Sequence, residues 1–500
     1  MACVSGQLTR HTGLGIRYQR RSGASRNPTM PIKTKIIATL GPACCDPPTM
    51  TRLVEAGLDV FRMNFSHGTL DEHARCLRNV RAVSKQLGVP LAAMADLCGP
   101  KIRVGKVEAD RLILRTGDEL TIQREPVEGS RQGISTTLPE LIDAVHKGDR
   151  ISFDDGRIEV EVVNARRRDR IVCRVTTGGT LRSSKGVNLP DTELSLPALT
   201  EKDRADAEWI ARQDFDYVAL SFVQRAQDIV HLRELLDAGG STAQIVAKIE
   251  KPQALKNIEA IVDAADAVLV ARGDLGVELA LPEVPIAQKR LVRLCEQAGK
   301  CCIIATQMLE SMIDQPTPTR AEVSDVANAV FDGTDAVMLS GETAVGKHPV
   351  QAVRTMNAIV RRAEQYLAEG PCQHPSDMRL SGTEAAIARA VHSIIHTERV
   401  RAVVVFTIAG ATARILAKMR LEVPILALTP DRRVMQQACL FYGVDAELAK
   451  TPAHTREVLS RAARRIRALR WAKKGEKIVV VSGRPLGKPG STNTIVVHTV

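Results

Sequence analysis

Short apolar runs alternate with amphipathic stretches along residues 33–365. The runs are rich in Ile, Val, Leu and Ala, which is typical of strands buried on both faces of a parallel sheet. Most of the intervening stretches place apolar residues at helical spacing. The candidate strands lie at 35–41, 59–64, 91–96, 217–222, 245–250, 267–274, 302–307 and 336–342. Eight strand–helix units in this order predict an α/β fold, a closed (β/α)8 TIM barrel over residues 31–98 and 185–365.

Two further regions follow different patterns. Between the third and fourth candidate strands, about 100 residues from Gly99 to Glu201 alternate apolar and polar positions between glycine-containing turns. This alternation predicts a small β-barrel domain inserted at 99–184. Beyond Gly370, a linker-like segment precedes a second α/β pattern with candidate strands at 400–406, 424–429, 477–483 and 493–500. We therefore expect a separate C-terminal α/β domain over residues 371–500.

The first 30 residues carry five Arg, no acid and little apolar periodicity. They predict a disordered basic extension. Met30 directly precedes the first candidate strand, so the favoured interpretation is a reading frame extended upstream of a cytoplasmic protein. The alternative is an organelle transit peptide, because such peptides are also rich in Arg and Ser and poor in acids.

Composition and charge narrow the classes of function. No run of 18 or more apolar residues occurs, which excludes a membrane-spanning helix. The 11 Cys are irregularly spaced without a C-x-x-C pair, which favours reduced thiols over a disulfide framework or a zinc site. The net charge of +12 raises the alternative of a nucleic-acid-binding protein, but the charge is concentrated in residues 1–45 and 461–474, and only 3% of residues are aromatic. We therefore expect neither a nucleic-acid nor a membrane partner.

Polar residues gather at the carboxyl ends of the candidate strands, where barrel enzymes build their sites. Glu250 and Asp274 would repel one another across one cavity unless a cation lay between them, and such hard oxygen ligands suit Mg²⁺, with Mn²⁺ as the alternative. Lys248 lies on the same strand face as Glu250, and a fixed ammonium beside a metal suits a phosphoryl or enolate oxygen. The backbone at Gly273 offers N–H groups to a small carboxylate or phosphate. The other polar residues at these ends are Arg62, Asn64, Ser66, His67, Asp96, Arg272, Thr306, Ser340 and Glu342.

These residue types indicate a small anionic substrate that undergoes phosphoryl transfer or enolate chemistry. Neither a P-loop motif nor a kinase glycine-rich loop is present, so generic motifs indicate no nucleotide. Residue types and spacing leave two enzyme classes open, a phosphotransferase and a metal-dependent lyase acting on a pyruvate enolate.

Taken in order, the strand-end segments resemble the signature blocks of the pyruvate kinase family. The blocks are TKIIATLGPA (34–43), FRMNFSHG (61–68), DLCGPKIR (96–103), SKGVNLP (184–190), AKIEKPQAL (247–255), VARGDLGVE (270–278), ATQMLESM (305–312) and MLSGETAVGKHP (338–349). The resemblance implies that the enzyme transfers the phosphoryl group of phosphoenolpyruvate to ADP, giving pyruvate and ATP. It also implies an inserted domain that closes as a lid, a C-terminal regulatory domain and a homotetramer. The inserted domain and the SKGVN segment favour this family over the lyases.

The resemblance also implies roles for individual residues. Glu250 and Asp274 match the divalent-metal ligands. Lys248 matches the residue that stabilises the transferring phosphoryl group and the developing enolate, and Arg62 matches a contact to the phosphate of phosphoenolpyruvate. The implied catalytic residues are Lys248, Arg62 and Thr306.

Other matching positions imply contacts to the rest of the substrates. Gly273, Asp274 and Thr306 match contacts to the carboxylate side of phosphoenolpyruvate. The proton donor to the enolate stays open between Thr306 and Ser340 with Glu342. The residues implied to face the nucleotide or its phosphates are Asn64, His67, Arg103 and Lys185.

The segment DLCGPKIR departs from potassium-dependent members of the family, which read like DTxGPEIR. In those members residues matching Asn64, Ser66 and Asp96 hold the ion, together with a backbone carbonyl. Here Lys101 replaces the acid and Leu97 the hydroxyl residue, so an ammonium supplies the charge that K⁺ would bring, and two adjacent cations would repel. We therefore predict an enzyme that requires Mg²⁺ but not K⁺.

In the C-terminal domain, TIAGATAR (407–414) matches the segment that binds activator phosphates in regulated members. Thr407, Gly410 and Thr412 are predicted to offer donors at a helix N-terminus to a phosphorylated metabolite effector, a sugar phosphate or a nucleotide. The alternative is a plain strand-to-helix turn without a ligand.

Overall fold

The computed structural model of the protein describes residues 32–192, 196–370, 379 and 381–500. The predicted basic extension at residues 1–30 and most of the predicted linker after Gly370 lie outside the described residues. In the part that is described, no helix is long and apolar enough to cross a membrane.

Within the described ranges, eight parallel strands close into a barrel, which confirms the predicted TIM-barrel fold. In chain order they are β1 Lys35–Thr39, β2 Val60–Asn64, β3 Ala92–Asp96, β4 Tyr217–Leu220, β5 Gln244–Ile249, β6 Ala267–Ala271, β7 Cys301–Ala305 and β8 Ala336–Leu339. The ring closes where β1 pairs with β8, with Ile36 opposite Val337. The strands are buried on both faces because alternate side chains point into the barrel and toward the surrounding helices.

Several strands end earlier than the apolar pattern predicts. β6 stops at Ala271 and β8 at Leu339, and the short helices Arg272–Glu278 and Gly341–Ala344 follow almost directly. Polar residues predicted to end these strands, such as Asp274 and Glu342, therefore lie in first helical turns, where backbone N–H groups have no partner within the helix.

The longer barrel helices each bury one apolar stripe. In the helix Leu70–Leu87, Thr69 and Glu72 form a capping box, and Gly88 ends the helix with a φ of 64°. Its buried residues follow helical spacing. Other helices described in the barrel region are Pro47–Ala56, Glu201–Ala211, Ala226–Ala238, Pro252–Lys256, Ile258–Ala264, Glu283–Gln297, Arg320–Phe331 and Pro349–Glu369, with a 3₁₀ turn at Glu310–Ile313.

Four aspartates of the described barrel clamp its amino-terminal face. Each directly precedes an even-numbered strand and accepts a hydrogen bond from the N–H of the second residue of the preceding strand. The pairs are Asp59 with Ile36 at 3.0 Å, Asp216 with Ala93 at 2.7 Å, Asp266 with Ile245 at 2.8 Å and Asp335 with Cys302 at 2.7 Å. The aspartates also pair with cations, in the same order Lys35, Arg81, Arg233 and Lys418. This repeat fixes the register of the strand pairs.

The inserted domain is all-β, as predicted, with one apolar core. Its larger sheet has the order Val187–Asn188, Arg150–Phe153, Ile158–Asn164, Arg170–Thr177, Glu119–Gln123 and Ile134–Ser135, and Leu112–Leu114 pairs with Gly179–Leu181 in a smaller one. A 3₁₀ turn at Glu108–Asp110 and a helical turn at Leu141–Ala144 complete it. Hydrogen bonding among the described strands thus forms two sheets rather than one closed ring, because the edge strands are only two or three residues long. The larger sheet extends to Asn188, past the predicted boundary at residue 184.

The C-terminal domain contains a five-stranded sheet among its described residues, and its last strand is antiparallel. The strand order is Val444–Leu448, Ile425–Thr429, Val400–Phe406, Lys477–Gly483 and Thr492–Thr499. The helices are Thr383–Thr397, Ala411–Lys418, Arg432–Gln437 and Thr455–Ala468, with a 3₁₀ turn at Ala438–Leu440. The sequence pattern missed the strand Val444–Leu448 because this edge strand alternates apolar and acidic residues.

The C-terminal domain packs against the amino-terminal face of the barrel. Apolar residues of the barrel interior and of the C-terminal sheet belong to one buried cluster. The Lys35 ammonium donates to the carbonyl of Val444 at 2.9 Å, and the Tyr217 hydroxyl donates to the carbonyl of Gln437 at 2.5 Å. The carboxyl ends of the strands, where the inserted domain departs after β3, form the opposite face.

Candidate active site

A chain of ion pairs crosses the carboxyl-end face of the barrel, which we call the mouth. Arg62 Nε donates to Asp96 Oδ2 at 2.6 Å. Lys248 Nζ lies 3.1 Å from Asp96 Oδ1 and 3.0 Å from Glu250 Oε1. Because β2, β3 and β5 end at the same face, the fold unites residues that are far apart in sequence. Alternating signs allow two cations to share a largely buried site.

Burial and the charges of neighbouring groups set the protonation states of the residues in these ion pairs. Burial opposes ionisation of Asp96, but the charges of Lys248 and Arg62 outweigh it and hold the pKa of Asp96 below its usual value. Burial alone would lower the pKa of Lys248, but Asp96 and Glu250 raise it above the ordinary value. Burial raises the pKa of Glu250, and Asp274 adds to the rise against the charge of Lys248. Lys248 therefore stays an ammonium, and Glu250 is the carboxylate that an added cation would stabilise.

The two predicted metal ligands lie in one electrostatic environment. Glu250 is 1% exposed, and its Oε2 accepts the Phe222 N–H at 2.8 Å, which fixes the carboxylate. The Asp274 side chain keeps 26% of its surface exposed, and its charge acts directly on Glu250. In the described residues no group of three or more His, Cys, Asp or Glu is arranged to hold a metal. Two carboxylates could hold a divalent cation that takes its remaining ligands from water and substrate oxygens.

The ends of β6 and β7 meet at a tight loop. The Gly273 N–H donates to Thr306 Oγ1 at 2.6 Å, and the Thr306 hydroxyl donates to the carbonyl of Ala305 at 2.6 Å. Thr306 has a φ of 70°, a left-handed conformation that costs a β-branched residue about 1–3 kcal/mol. Arg272 holds this loop by donating to the Thr306 carbonyl at 2.8 Å. The structure thus brings together Gly273 and Thr306, which the resemblance assigns to one substrate carboxylate.

The loop after β2 carries three predicted site residues. Asn64 Oδ1 accepts the Ser66 N–H at 3.1 Å, which turns the chain at the end of the strand. Asn64 and Ser66 are half-buried, and His67 is exposed. Asp96, the remaining residue of the predicted monovalent-cation site, has its charge met by Arg62 and Lys248.

The other predicted nucleotide residues lie where the inserted domain joins the barrel. Arg103 pairs with Gly186 in an isolated β-bridge and donates through Nη1 to the carbonyl of Ser184 at 3.0 Å. Lys185 Nζ lies 2.7 Å from Asp154 Oδ1 of the inserted domain. Arg103 and Lys185 are therefore neighbours in this junction.

Lys101, the predicted substitute for K⁺, lies beside Asp274, a predicted metal ligand. Its Nζ is 3.5 Å from Asp274 Oδ1. A Cβ at Gly186 would lie 3.2 Å from Lys101 Cε, so the Lys101 side chain runs along the backbone of the inserted domain. The Lys101 charge thus lies beside Asp274, whereas the Asp96 charge is already met by other cations.

The carboxylate of Glu342 is held by hydrogen bonds from the backbone. Its two carboxylate oxygens accept the N–H groups of Leu309 at 3.1 Å and Ser340 at 2.7 Å. Burial raises its pKa above the ordinary value, against the effect of these hydrogen bonds. Glu342 therefore joins the loops after β7 and β8, while Thr306 and Ser340 remain half-buried at the same ends.

Sequence reasoning missed three residues that hold the site. The contacts are Arg62 Nη1 to Thr39 Oγ1 at 2.8 Å, Lys248 Nζ to Ser221 Oγ at 2.6 Å and Arg272 Nη1 to Asp325 Oδ1 at 2.6 Å. Thr39 ends β1 and Ser221 follows β4, so the strand-end rule was a sufficient signal for both. Asp325 lies within the helix Arg320–Phe331, and no pattern in the sequence points to it.

The predicted effector segment lines a cleft in the C-terminal domain. Residues 406–412 face residues 483–492 across this cleft, and Glu384 also lines it. Thr407 Oγ1 accepts the Gly410 N–H at 2.9 Å, and the hydroxyls of Thr412 and Thr492 lie 2.7 Å apart. The segment is thus both a hydrogen-bonded turn and one wall of a cleft.

Comparison with known proteins identifies this architecture. Residues 32–353 match the barrel domain of pyruvate kinase, and residues 385–498 match its alpha/beta domain. The chain belongs to the pyruvate kinase family. It is therefore a phosphotransferase, and the lyase alternative falls away.

Individual pyruvate kinases agree along almost the whole chain. The pyruvate kinase of Geobacillus stearothermophilus is 44% identical over 473 residues, which cover 94% of this chain and 80% of that protein. The Mycobacterium tuberculosis H37Rv pyruvate kinase is 42% identical over 468 residues, covering 93% and 98%. A crystal structure of a pyruvate kinase from Cryptosporidium parvum matches the fold with a TM-score of 0.86 at 32% identity, covering 94% of this chain and 96% of that one.

Proposed function

We propose that the barrel mouth carries out the pyruvate kinase reaction with Mg²⁺ and without K⁺. The observation that carries the proposal is the buried chain of Arg62, Asp96, Lys248 and Glu250, which holds two cations beside a carboxylate that an added cation would stabilise. Phosphoenolpyruvate carries a phosphate and a carboxylate. The site offers fixed positive charge to the first and a backbone N–H with a hydroxyl to the second.

Arg62 orients the phosphate of phosphoenolpyruvate. Asp96 and Thr39 hold the Arg62 guanidinium in place, so little side-chain entropy remains to be lost when substrate binds. Gly273 and Thr306 bind the substrate carboxylate after their mutual hydrogen bond opens. These contacts hold the P–O bond of phosphoenolpyruvate, which breaks in the transfer, in one orientation.

Lys248 stabilises the charge that develops on the phosphoryl group and on the enolate oxygen. It keeps its proton because Asp96 and Glu250 raise its pKa, and it is fixed before the reaction begins. Glu250 and Asp274 would hold Mg²⁺, which supplies charge neutralisation for the phosphoryl and enolate oxygens. The proton that completes pyruvate comes from the side of Thr306 and Ser340, either of which can relay it through water.

The inserted domain acts as the lid over the nucleotide. Arg103 and Lys185 lie at its junction with the barrel, and Asn64 and His67 lie on the β2 loop. Closure brings Arg103 and Lys185 toward the phosphates of ADP and excludes water from the transfer.

Replacing the monovalent cation tests the proposal. Turnover of phosphoenolpyruvate and ADP in Mg²⁺ or Mn²⁺ buffer should be unchanged when sodium or tetramethylammonium replaces potassium, and should vanish when the divalent cation is chelated. Lys101→Glu should make turnover depend on potassium, whereas Lys106→Glu, at an exposed lysine nearby in the chain, should not. A large fall of wild-type rate without potassium would overturn the K⁺-independent mechanism.

The C-terminal domain is proposed to bind a phosphorylated metabolite effector in the cleft formed by residues 406–412 and 483–492. Support comes from the convergence of both segments on one cleft at the start of the helix Ala411–Lys418. A panel of sugar phosphates and nucleotides should contain a compound that shifts half-saturation by phosphoenolpyruvate. Thr412→Val should reduce that shift, and a panel without any effect would contradict the effector role.

We further propose a homotetramer in the cytoplasm. Leu281 and Ile286 are 75% and 61% exposed near the start of one helix, which leaves apolar surface in water in an isolated subunit. The described cysteines are all free thiols, as a reducing compartment favours. Light scattering of the purified protein should give four times the subunit mass. A monomer across the working concentration range would contradict the assembly.

We expect the C-terminal domain to bind no nucleic acid. On the basic helix Thr455–Ala468, Arg461 pairs with Glu457 and Arg465 pairs with Glu447. Part of the charge of this helix is therefore met within the fold. Salt-sensitive retention of the full chain on DNA would revive that alternative.

A further inference from the structure

Two cysteines near the mouth lie in direct sulfur contact. Cys45 belongs to the loop between β1 and the helix Pro47–Ala56, and Cys76 lies on the helix Leu70–Leu87. Their Sγ atoms are 3.2 Å apart. A disulfide has an S–S separation of about 2.05 Å, so the atoms need to approach by only about 1 Å.

The main chain around Cys45 is already held in place. Asn79 Nδ2, one helical turn from Cys76, donates to the carbonyl of Cys45 at 3.1 Å. On the other side, the Ala43 N–H donates to the carbonyl of Ala344 at 3.0 Å. Hydrogen bonds on both sides thus already dock the loop beside the helix, without a covalent bond.

The two thiols differ in pKa and in exposure. The sulfur contact with Cys45 lowers the pKa of Cys76 to about 7, with help from Arg75 and against the effect of burial. The same contact raises the pKa of Cys45, and burial adds to the rise. Cys45 is half-buried and gives small oxidants access, whereas Cys76 is 6% exposed. Cys44, next in the chain, is fully buried, and burial raises its pKa to about 11.

We propose that Cys45 and Cys76 are a reversible modification site that forms an intramolecular disulfide with peroxides. The Cys76 thiolate attacks one peroxide oxygen, the O–O bond breaks, and a sulfenic acid and hydroxide form. The Cys45 sulfur then attacks the Cys76 sulfur, the S–O bond breaks, and hydroxide leaves with the Cys45 proton as water. In sum, two thiols lose two electrons and two hydrogens, and one hydrogen peroxide becomes two waters.

We expect the disulfide to protect Cys76 from irreversible oxidation without reducing turnover. It joins the loop that follows Thr39, the residue that contacts Arg62, to the helix that follows the β2 loop. Since both elements are already in contact, the mouth keeps its geometry when the bond forms. A Cys76 sulfenic acid without a partner would go on to irreversible sulfinic acid, and Cys45 prevents this.

Peptide mapping after peroxide treatment tests the proposal. The full-length protein is treated with hydrogen peroxide, alkylated and digested with trypsin without reductant. We expect peptides 36–52 and 76–78 to appear as one cross-linked species, lighter by two hydrogens than the sum and released by dithiothreitol. Turnover of the oxidised protein should stay near that of the reduced protein. Absence of this species, or a large loss of turnover on its formation, would overturn the proposal.

Serine variants assign the bond. Cys45→Ser should abolish the cross-link and lead to sulfinic acid at Cys76, and Cys44→Ser should keep the cross-link. If Cys45→Ser retains it and Cys44→Ser loses it, the assignment to Cys45 is wrong. Both substitutions lie in the loop, so the test does not depend on tolerance of a change within the helix Leu70–Leu87.

Discussion

Buried aspartates pair with cations at both faces of the barrel, but the pairs serve different purposes. At the amino-terminal face, Asp335 accepts the Cys302 N–H at 2.7 Å and pairs with the buried Lys418 at 2.6 Å. At the mouth, Asp96 contacts two cations, Arg62 and Lys248. The aspartates of the amino-terminal face tie strands together, whereas Asp96 holds cations in position for a further anion.

The two faces also differ in where their backbone adopts left-handed φ values. Non-glycine residues with left-handed φ occur at the mouth, at Phe222 with 54°, Thr306 with 70° and Gln307 with 55°. Such conformations cost about 1–3 kcal/mol each. The amino-terminal face instead repeats one aspartate clamp at regular strand starts. At the mouth these conformations fall in loops that present polar groups to a ligand, whereas at the amino-terminal face Arg420, with a φ of 48°, pairs with Asp335 and serves the fold.

Glu250→Gln should have the largest effect on the mouth. Loss of one metal-ligand charge should lower turnover by about 10²–10³-fold and raise the Mg²⁺ concentration needed for half-maximal rate. Steady-state rates across a Mg²⁺ titration measure both effects. The control Glu364→Gln, which changes a glutamate that accepts backbone N–H groups of Lys33 and Thr34, should keep wild-type turnover. An unchanged Mg²⁺ profile in Glu250→Gln would remove the residue from the metal site.

Asp335→Asn should have the largest effect on the amino-terminal face. It leaves the Lys418 and Arg420 cations without their carboxylate in a buried site, a change that costs about 3–5 kcal/mol of unfolding free energy. Denaturant unfolding measures the loss. Turnover per folded molecule should remain near wild type, and a selective fall in turnover with unchanged stability would reverse the assignment of the two faces.

Buried aspartates of the two faces should respond to pH in opposite directions. Burial raises the pKa of Asp216 to about 6, because Arg81 offsets it only in part, whereas the cations at the mouth lower the pKa of Asp96. Between pH 3.8 and about pH 6, Asp216 has lost its proton in the unfolded chain but keeps it in the folded chain. Stability should therefore fall as pH rises through this window, by at most about 1.4 kcal/mol per pH unit from this group.

Asp216→Asn checks the pH prediction. Unfolding midpoints measured across this pH window should lose that part of the slope in the variant. Asp237→Asn, at an exposed helix position, is the matched control and should keep the wild-type slope. Equal slopes in wild type and Asp216→Asn would contradict the prediction.

Thr39→Val should have the smallest effect. It removes the hydrogen bond that Thr39 donates to the carbonyl of Leu339 and the one that it accepts from Arg62. The bond to Arg62 is worth about 1 kcal/mol, so the KM for phosphoenolpyruvate should rise about fivefold with little change in kcat. Initial-rate kinetics separate the two constants. Thr39→Ser keeps the hydroxyl and should stay near wild type, and equal effects of both substitutions would show that packing, not the hydrogen bond, matters at this position.

The barrel and most of the mouth were predictable from sequence because both depend on strand pattern. Apolar runs locate the strands, and polar residues at the carboxyl end of each run, such as Arg62, Lys248 and Glu250, must then meet at one face. The ends of β6 and β8 were placed too late because helices start within the apparent runs. The two-sheet pairing of the inserted domain depends on long-range hydrogen bonds between short strands, which alternation alone does not specify.

The remaining features depend on tertiary contacts. Asp325 supports Arg272 from a neighbouring helix, and its sequence context is that of an ordinary helical residue. The aspartates before β2, β4, β6 and β8 did leave a signal in the recurrence of Asp at the residue before each even-numbered strand. Only the structure shows that each one accepts the N–H of the adjacent strand.

The most direct test compares two buried lysines that pair with aspartates, Lys248 at the mouth and Lys418 at the amino-terminal face. The measurement is turnover of phosphoenolpyruvate and ADP per folded molecule in Lys248→Met and Lys418→Met, with unfolding free energy determined on the same samples. Our account predicts a fall of about 10²–10³-fold in turnover for Lys248→Met and near wild-type turnover, with a large loss of stability, for Lys418→Met. Undiminished turnover in folded Lys248→Met would contradict it.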